Sequence, residues 1–261
     1  MIGKSVAWFF STSRDLIARR LVRWGVTPNM LTLTGCAFTS LTGVMLGMAV
    51  ASGQNFFYAF AVLMLYWSAA CDMLDGAVAR IGGKSSTFGA FLDSTTDRVS
   101  DFILWAALAC GFMCRQTPNI TFTLLCMTAI FNSMMISYTK SRAETLIGEC
   151  NVGFWQRGER FAAILFATLS ANPGAAVLQQ GISPAFTAWR RISYTYAVMS
   201  GGKPVKNPKD GKWYQKIQLW MYPRMTWPYD IAVLGNIAFL LFFRIDPDKM
   251  DVIRWVIFRT H

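Results

Sequence analysis

This sequence predicts an all-α fold that crosses a membrane about six times, and three observations support that expectation. Of its 261 residues, 54% are hydrophobic and only 15% are charged, where a water-soluble domain carries about 25% charged residues. Apolar runs near the roughly 18–20 residues needed to span hydrocarbon recur along the chain. The basic residues behind the formal net charge of +11 lie between those runs, as they do in cytoplasmic loops. The expected architecture is a polytopic membrane domain over 1–199, with an N-terminal interfacial helix, and a C-terminal extension over 200–261.

Residues 1–28 read as an amphipathic helix lying in the interface. Val6, Trp8, Phe9, Phe10, Leu16, Ile17, Leu21 and Val22 alternate with Lys4, Arg14, Arg19, Arg20 and Arg23, which would reach lipid phosphates. The apolar core is too broken for a cleavable signal peptide. Thr27-Pro28-Asn29 marks a turn. Spans are expected at 30–51, 56–75, 88–113, 119–138 and 161–179, with a short sixth at 183–199 interrupted by Arg190 and Arg191. A turn around 80–87 and a basic loop after 138 separate them. Residues 229–245 are apolar again, as a seventh span or a membrane-embedded hairpin. Asp246–His261, with Trp255 and Phe258, reads as a second interfacial helix. The 52–55, 114–118 and 172–182 loops hold a single basic residue, Arg115, which places the opposite ends in the cytoplasm.

Composition excludes several chemistries. The only histidine is His261, so a general base must be a carboxylate, lysine or tyrosine. Six cysteines lie mostly inside apolar runs and form no C-x2-C pair, which argues against a zinc site. The basic residues flank apolar segments and do not form an aromatic-laced soluble patch, so the partner implied is an anionic lipid surface and not nucleic acid.

Against this background four aspartates stand out: Asp72, Asp75, Asp93 and Asp97. A carboxylate at a helix centre in a bilayer costs about 2.5–3.5 kcal/mol on insertion scales. At 100° per residue Asp72, Asp75, Gly76 and Ala79 share one helical face, and Gly89, Asp93 and Asp97 share a face of the next helix. If those faces pack together, the carboxylates converge, with small residues beside them to admit a ligand against the backbone. Hard oxygen donors of this kind suit Mg²⁺ or Mn²⁺, with phosphate oxygens completing the shell. Two such ions clamp a pyrophosphate, and a carboxylate less committed to metal can take a proton from a hydroxyl. Asp93 alone would equally fit a partner for a helix N-terminal dipole. Asp101, a turn beyond Asp97, is read as structural.

The run Asp72-Met73-Leu74-Asp75-Gly76-Ala77-Val78-Ala79-Arg80, eight residues, Gly89, three residues, Asp93, three residues and Asp97 follows the pattern D-x2-D-G-x2-A-R-x8-G-x3-D-x3-D without a gap. By this signature the chain resembles the CDP-alcohol phosphotransferases over roughly 15–165. The resemblance implies about six transmembrane helices in a homodimer with a cytosolic cavity. It implies that Asp72, Asp75 and Asp93 bind two metal ions and that Asp97 shares a metal and acts as general base. Gly76, Ala79 and Gly89 would accommodate the CDP moiety, and Arg80 would contact its phosphates. Asn29 and Thr32 are expected to reach the nucleotide, although a helix cap and a satisfied span hydroxyl explain them equally well.

Beyond the fourth span come Ser137-Tyr138-Thr139-Lys140-Ser141-Arg142-Ala143-Glu144 and Gln156-Arg157-Gly158-Glu159-Arg160. Four cations there exceed what a neutral alcohol needs and suit a phosphorylated acceptor. Both stretches are similar to S-Y-x-K-x-R-A-E and E-R-x-E-R of bacterial phosphatidylinositol phosphate synthases, with departures at Gln156 and Gly158. That likeness implies inositol 1-phosphate as acceptor, with Arg191 joining Lys140, Arg142, Arg157 and Arg160. Glu144 and Glu159 are expected to orient these cations. The expectation is thus an inner-membrane enzyme, its active site facing the cytoplasm. It would move a phosphatidyl group from CDP-diacylglycerol to inositol 1-phosphate and release CMP. Glycerol 3-phosphate, free inositol or serine are the alternative acceptors. A cation-coupled transporter would instead need carboxylates near mid-membrane.

Overall fold

The computed structural model describes residues 2–202, 209, 213, 218–224, 226–253 and 255, with the backbone alone for 2–11 and 220. The helices in chain order are α1 (Ile2–Arg23), α2 (Pro28–Ser52), α3 (Phe56–Ile81), α4 (Thr87–Met113), α5 (Ile120–Ile147), α6 (Arg157–Leu169), α7 (Pro173–Ile182), α8 (Pro184–Met199) and α9 (Trp227–Phe242). No strand occurs among the described residues. α2, α3 and α5 are each long and apolar enough to cross a membrane. Their outward faces carry large apolar side chains, such as Leu33, Leu41, Phe60, Tyr66 and Phe131, that are about half exposed or more. Water would penalise that surface and hydrocarbon would not.

Helix ends follow local chemistry. Thr27 Oγ1 accepts from Met30 N at 3.3 Å, with Pro28 at the first helical position of α2. Ser86 Oγ accepts from Gly89 N at 2.9 Å and starts α4 in the same way. Asn119 caps α5 through Phe122 N, and Gly148, at φ 81°, ends it. α3 stops at Gly82 and Gly83, the latter at φ 62°, a left-handed backbone suited to glycine.

Three sequence expectations need correction. The turn expected around 80–87 is shorter, because α3 continues to Ile81 and Gly76–Arg80 is helix throughout. The basic loop expected after 138 begins instead as helix: Lys140 and Arg142 sit on the last turns of α5. The expected fifth span at 161–179 is broken. α6 has 13 residues, about 20 Å at 1.5 Å per residue, short of the roughly 30 Å of hydrocarbon. The chain turns at 170–172, where Ala171 takes φ 49° and Pro173 lacks the N–H to continue. α7 then passes into α8 across the single residue Ser183, which keeps helical dihedrals, with Pro184 opening α8. The helix expected over 246–261 begins with a turn, Met250 N donating to Pro247 O at 3.2 Å; Phe258 lies outside the described residues.

The chain divides into two compact units: Met1–Met45 with Ala59–Leu104, and Leu46–Tyr58 with Trp105–His261. In the first unit α1 packs Ala18, Leu21 and Val22 on Ala77, Val78 and Leu74 of α3. In the second, α5 packs on α7 and α8. Ile136, Phe154, Trp155, Ala163, Ala176 and Leu240 are among its core residues. Gly47 of α2 and Gly111 of α4 also meet there without side chains. A Cβ on Gly111 would lie 2.5 Å from the Gly47 carbonyl oxygen. Gly111→Val is therefore expected to force these helices apart at about 1–3 kcal/mol. The detergent-solubilised variant should melt several degrees lower, while Gly235→Ala, which meets nothing within 4 Å, should not. An unchanged melting curve for Gly111→Val would contradict the close approach.

Candidate active site

In the first unit α2 is the element on which the acidic helices are mounted. Gly35 lets α3 approach, since a Cβ there would lie 3.2 Å from Cys71 Cβ. Ser68 Oγ donates to Gly35 O at 3.2 Å and pairs with Thr39 Oγ1 at 2.5 Å. These are the small residues and hydroxyls that join helices in hydrocarbon. α4 docks on another side of α2: Cys36 Sγ reaches Thr96 O at 3.6 Å, and a Cβ on Gly43 would collide with the Leu104 backbone. One helix thus sets the placement of both acid-bearing neighbours.

The result is a convergence of carboxylates from α3 and α4. Asp72, Asp75 and Asp93 each offer an oxygen, and the three oxygens lie within 4.8 Å of one another. Asp97 stands one turn beyond Asp93 on α4, half-buried, outside that group of three. Asp75 is held from two sides: Oδ2 accepts from Thr32 Oγ1 at 3.0 Å, and Oδ1 from Gly76 N at 2.5 Å. Three like charges this close repel by roughly 4 kcal/mol per pair at an effective dielectric of 20. A divalent cation removes that repulsion. Oxygens on one Mg²⁺ at about 2.0–2.1 Å lie up to about 4.2 Å apart, so small side-chain rotations would close the group on an ion. The donor set is all oxygen and anionic, as a hard cation requires.

Of the small residues, Gly76 and Ala79 lie on α3 and Gly89 on α4. Arg80, exposed at the end of α3, folds back over Gly76: a Cβ there would lie 3.6 Å from Arg80 Nη1. Ala79 is half-buried between them in sequence. Asn29 reaches toward Gly89, its Oδ1 being 3.7 Å from where a Cβ would stand. Thr32, expected beside a nucleotide, hydrogen-bonds Asp75. No local pattern announces that contact, which joins residues 43 apart in sequence.

The five basic candidates come from three helices of the second unit. On α5, Arg142 is exposed, while Lys140 Nζ lies 3.7 Å from Glu144 one turn on. On α6, Arg157 is half-buried and Arg160 buried. On α8, Arg191 is only 2% exposed. Its Nε donates to Val152 O at 3.0 Å and its Nη1 to Ile136 O, which ties α8 to α5 and to the segment before α6. Glu159 meets residues that the sequence did not nominate: Arg224, at 2.6 Å, and the Tyr229 hydroxyl.

Comparison with known proteins shows the family and the fold. Residues 25–193 match the model of the CDP-alcohol phosphatidyltransferase family. The chain is 38% identical over 156 residues to the archaetidylinositol phosphate synthase of Pyrococcus horikoshii, covering 59% of this chain and 76% of that one. It is 35% identical over 162 residues to the phosphatidylinositol phosphate synthase of Mycobacteroides abscessus, covering 60% and 68%. Two crystal structures of the phosphatidylinositol phosphate synthase of Mycobacterium tuberculosis share the fold. One, in complex with manganese and citrate, has a TM-score of 0.60 at 26% identity, covering 70% of this chain and 88% of that one. The other, with CDP-DAG bound, scores 0.59 at 27% identity, covering 70% and 93%. With the unbroken aspartate signature, the clustered carboxylates and a family match over most of its length, this membrane protein is a member of the CDP-alcohol phosphatidyltransferase family, whose enzymes are metal-dependent transferases.

Proposed function

We propose that this protein transfers the phosphatidyl group of CDP-diacylglycerol to a hydroxyl of inositol 1-phosphate, forming phosphatidylinositol phosphate and CMP. The observation that carries this reading is the meeting of Asp72, Asp75 and Asp93 within 4.8 Å inside an intact family signature. The names of the relatives support the acceptor. Asp97 takes the proton of the attacking hydroxyl, whose oxygen bonds to the lipid-linked phosphorus as the pyrophosphate P–O bond to CMP breaks. Asp72, Asp75, Asp93 and Asp97 would hold two ions, Mg²⁺ or Mn²⁺, which supply charge neutralisation and Lewis acidity at the pyrophosphate. Thr32 and the Gly76 N–H keep Asp75 aimed into the group. Asn29, Gly76, Ala79 and Gly89 receive the CDP moiety and Arg80 its phosphates.

Lys140, Arg142, Arg157 and Arg160 bind the acceptor's phosphate by charge-assisted hydrogen bonds. Arg191 joins them through Nη2, the guanidinium nitrogen left after its two carbonyl bonds. In this reading residues 1–199 form the catalytic domain of a homodimer in the inner membrane. The basic segments, and with them the active site, face the cytoplasm.

Measuring CMP release with each candidate alcohol, with and without Mg²⁺, tests the proposal. Inositol 1-phosphate should be the preferred acceptor over glycerol 3-phosphate, free inositol and serine; equal turnover with free inositol would remove the need for a phosphate cradle. Arg157→Gln should raise the acceptor KM by about 10- to 100-fold, the worth of one hydrogen bond to a charged group. The KM for CDP-diacylglycerol should hardly change.

A further inference from the structure

The C-terminal extension lies beyond the family match at 25–193, yet it grips the helix that carries Arg157 and Arg160. Glu159 sits between those two arginines in the first turn of α6. Its carboxylate, 13% exposed, is 2.6 Å from Arg224 Nη2 and also accepts from the Tyr229 hydroxyl. At the other end of α6, Ser170 Oγ donates to Leu240 O at 3.0 Å and Asn172 Nδ2 to Phe243 O at 2.7 Å. Between these points, Phe154, Ala163 and Tyr229 share a core with Leu240. α9 therefore fastens α6 at both ends.

This matters because α6 is short and ends in a break, so continuation into a longer span does not fix its rotation about its own axis. A slip of one residue turns a helix by 100° and would swing both arginines together. Glu159 is also an anion beside two cations wanted by a phosphate. Held by Arg224 and Tyr229, it is oriented toward the extension, and its charge is offset there.

We propose that Arg224 and Tyr229 are positioning residues for the acceptor. By holding Glu159 they set the orientation of the first turn of α6, and with it the direction in which Arg157 and Arg160 leave the helix. The inference rests on the reading of those two arginines as acceptor-phosphate ligands. The extension is then part of the acceptor-binding machinery.

The test is steady-state kinetics of the full-length protein, reconstituted in vesicles containing CDP-diacylglycerol, with inositol 1-phosphate as the varied acceptor. Arg224→Gln is expected to raise the acceptor KM roughly 5- to 20-fold at an unchanged KM for CDP-diacylglycerol, and Arg224→Lys to recover most of that loss. Tyr229→Phe, which deletes one hydroxyl and keeps the ring packed, should show the same split at about 3-fold. It decides the matter if Arg224→Gln does not fold. Arg157→Gln is run beside them. If it raises the acceptor KM while Arg224→Gln and Tyr229→Phe do not, the positioning role is wrong and the site reading stands. If Arg157→Gln has no effect either, the site reading fails and takes this inference with it. A parallel loss of kcat and of both KM values, tracking the amount of folded protein, would reduce Arg224 and Tyr229 to a structural strap and also overturn the proposal.

Discussion

Asp97→Asn is expected to lower kcat for CMP release by about three orders of magnitude, within the 10²–10⁴-fold range of general-base catalysis. The substitution keeps the size and planarity of the side chain, so packing on α4 should survive. What disappears is the ability to accept a proton from the acceptor hydroxyl. Position sets Asp97 apart from the other acids. It lies one turn along α4 from Asp93 and outside the group of three whose oxygens converge, and the proposed base role rests on that position. The measurement is single-turnover CMP release from vesicle-borne CDP-diacylglycerol, with binding of that lipid measured in parallel. Retention of more than about a tenth of wild-type kcat would refute the base assignment. Loss of lipid binding together with turnover would instead make Asp97 a metal ligand only.

The acidic site was legible in the sequence because its information is local. Asp72 and Asp75, and Asp93 and Asp97, are spaced to share a helical face whatever the tertiary fold. Carboxylates on apolar helices are costly enough that their convergence could be expected. The supports were not legible, because each joins residues far apart in the chain. Thr32 meets Asp75 across 43 positions, and Tyr229 meets Glu159 across 70. The family likeness nominates Arg191 for the cradle, yet two of its nitrogens are engaged by carbonyls that no sequence pattern marks. The break in the expected fifth span did leave a signal. Ser170-Ala171-Asn172-Pro173-Gly174 is turn chemistry, but it lies inside an apolar run that hydropathy reads as continuous. Asn172 makes the turn stable: buried to 2% exposure, it donates to Leu240 O and Phe243 O and accepts from Ile245 N. Those partners belong to the extension, about 70 residues downstream. The charges at Lys140 and Arg142 read as the end of a span, whereas lysine and arginine are good helix formers and α5 simply continues to Ile147.

Removing divalent cations should abolish activity outright, and the carboxylates that hold them should be separable from the residue that only orients one of them. With EDTA in excess, CMP release is expected to fall to background and to return on adding Mg²⁺ or Mn²⁺. Asp93→Asn removes one charge from the group of three and should lower kcat by about 10³-fold or more, since both the ion and the charge it neutralises at the pyrophosphate are affected. Thr32→Val is the informative companion. It keeps the shape of the side chain and deletes the hydroxyl that holds Asp75 Oδ2 at 3.0 Å. Loss of such an outer partner of a metal ligand typically costs 10- to 100-fold in metal affinity or activity. The Mg²⁺ concentration for half-maximal rate should therefore rise by about tenfold, with kcat at saturating Mg²⁺ largely preserved. If Thr32→Val instead raised the KM for CDP-diacylglycerol and left the Mg²⁺ dependence alone, Thr32 would be a nucleotide contact, as the sequence suggested, and its bond to Asp75 incidental. If EDTA left the rate intact, the convergence of Asp72, Asp75 and Asp93 would need another explanation, and the two-ion reading of the site would fail with it.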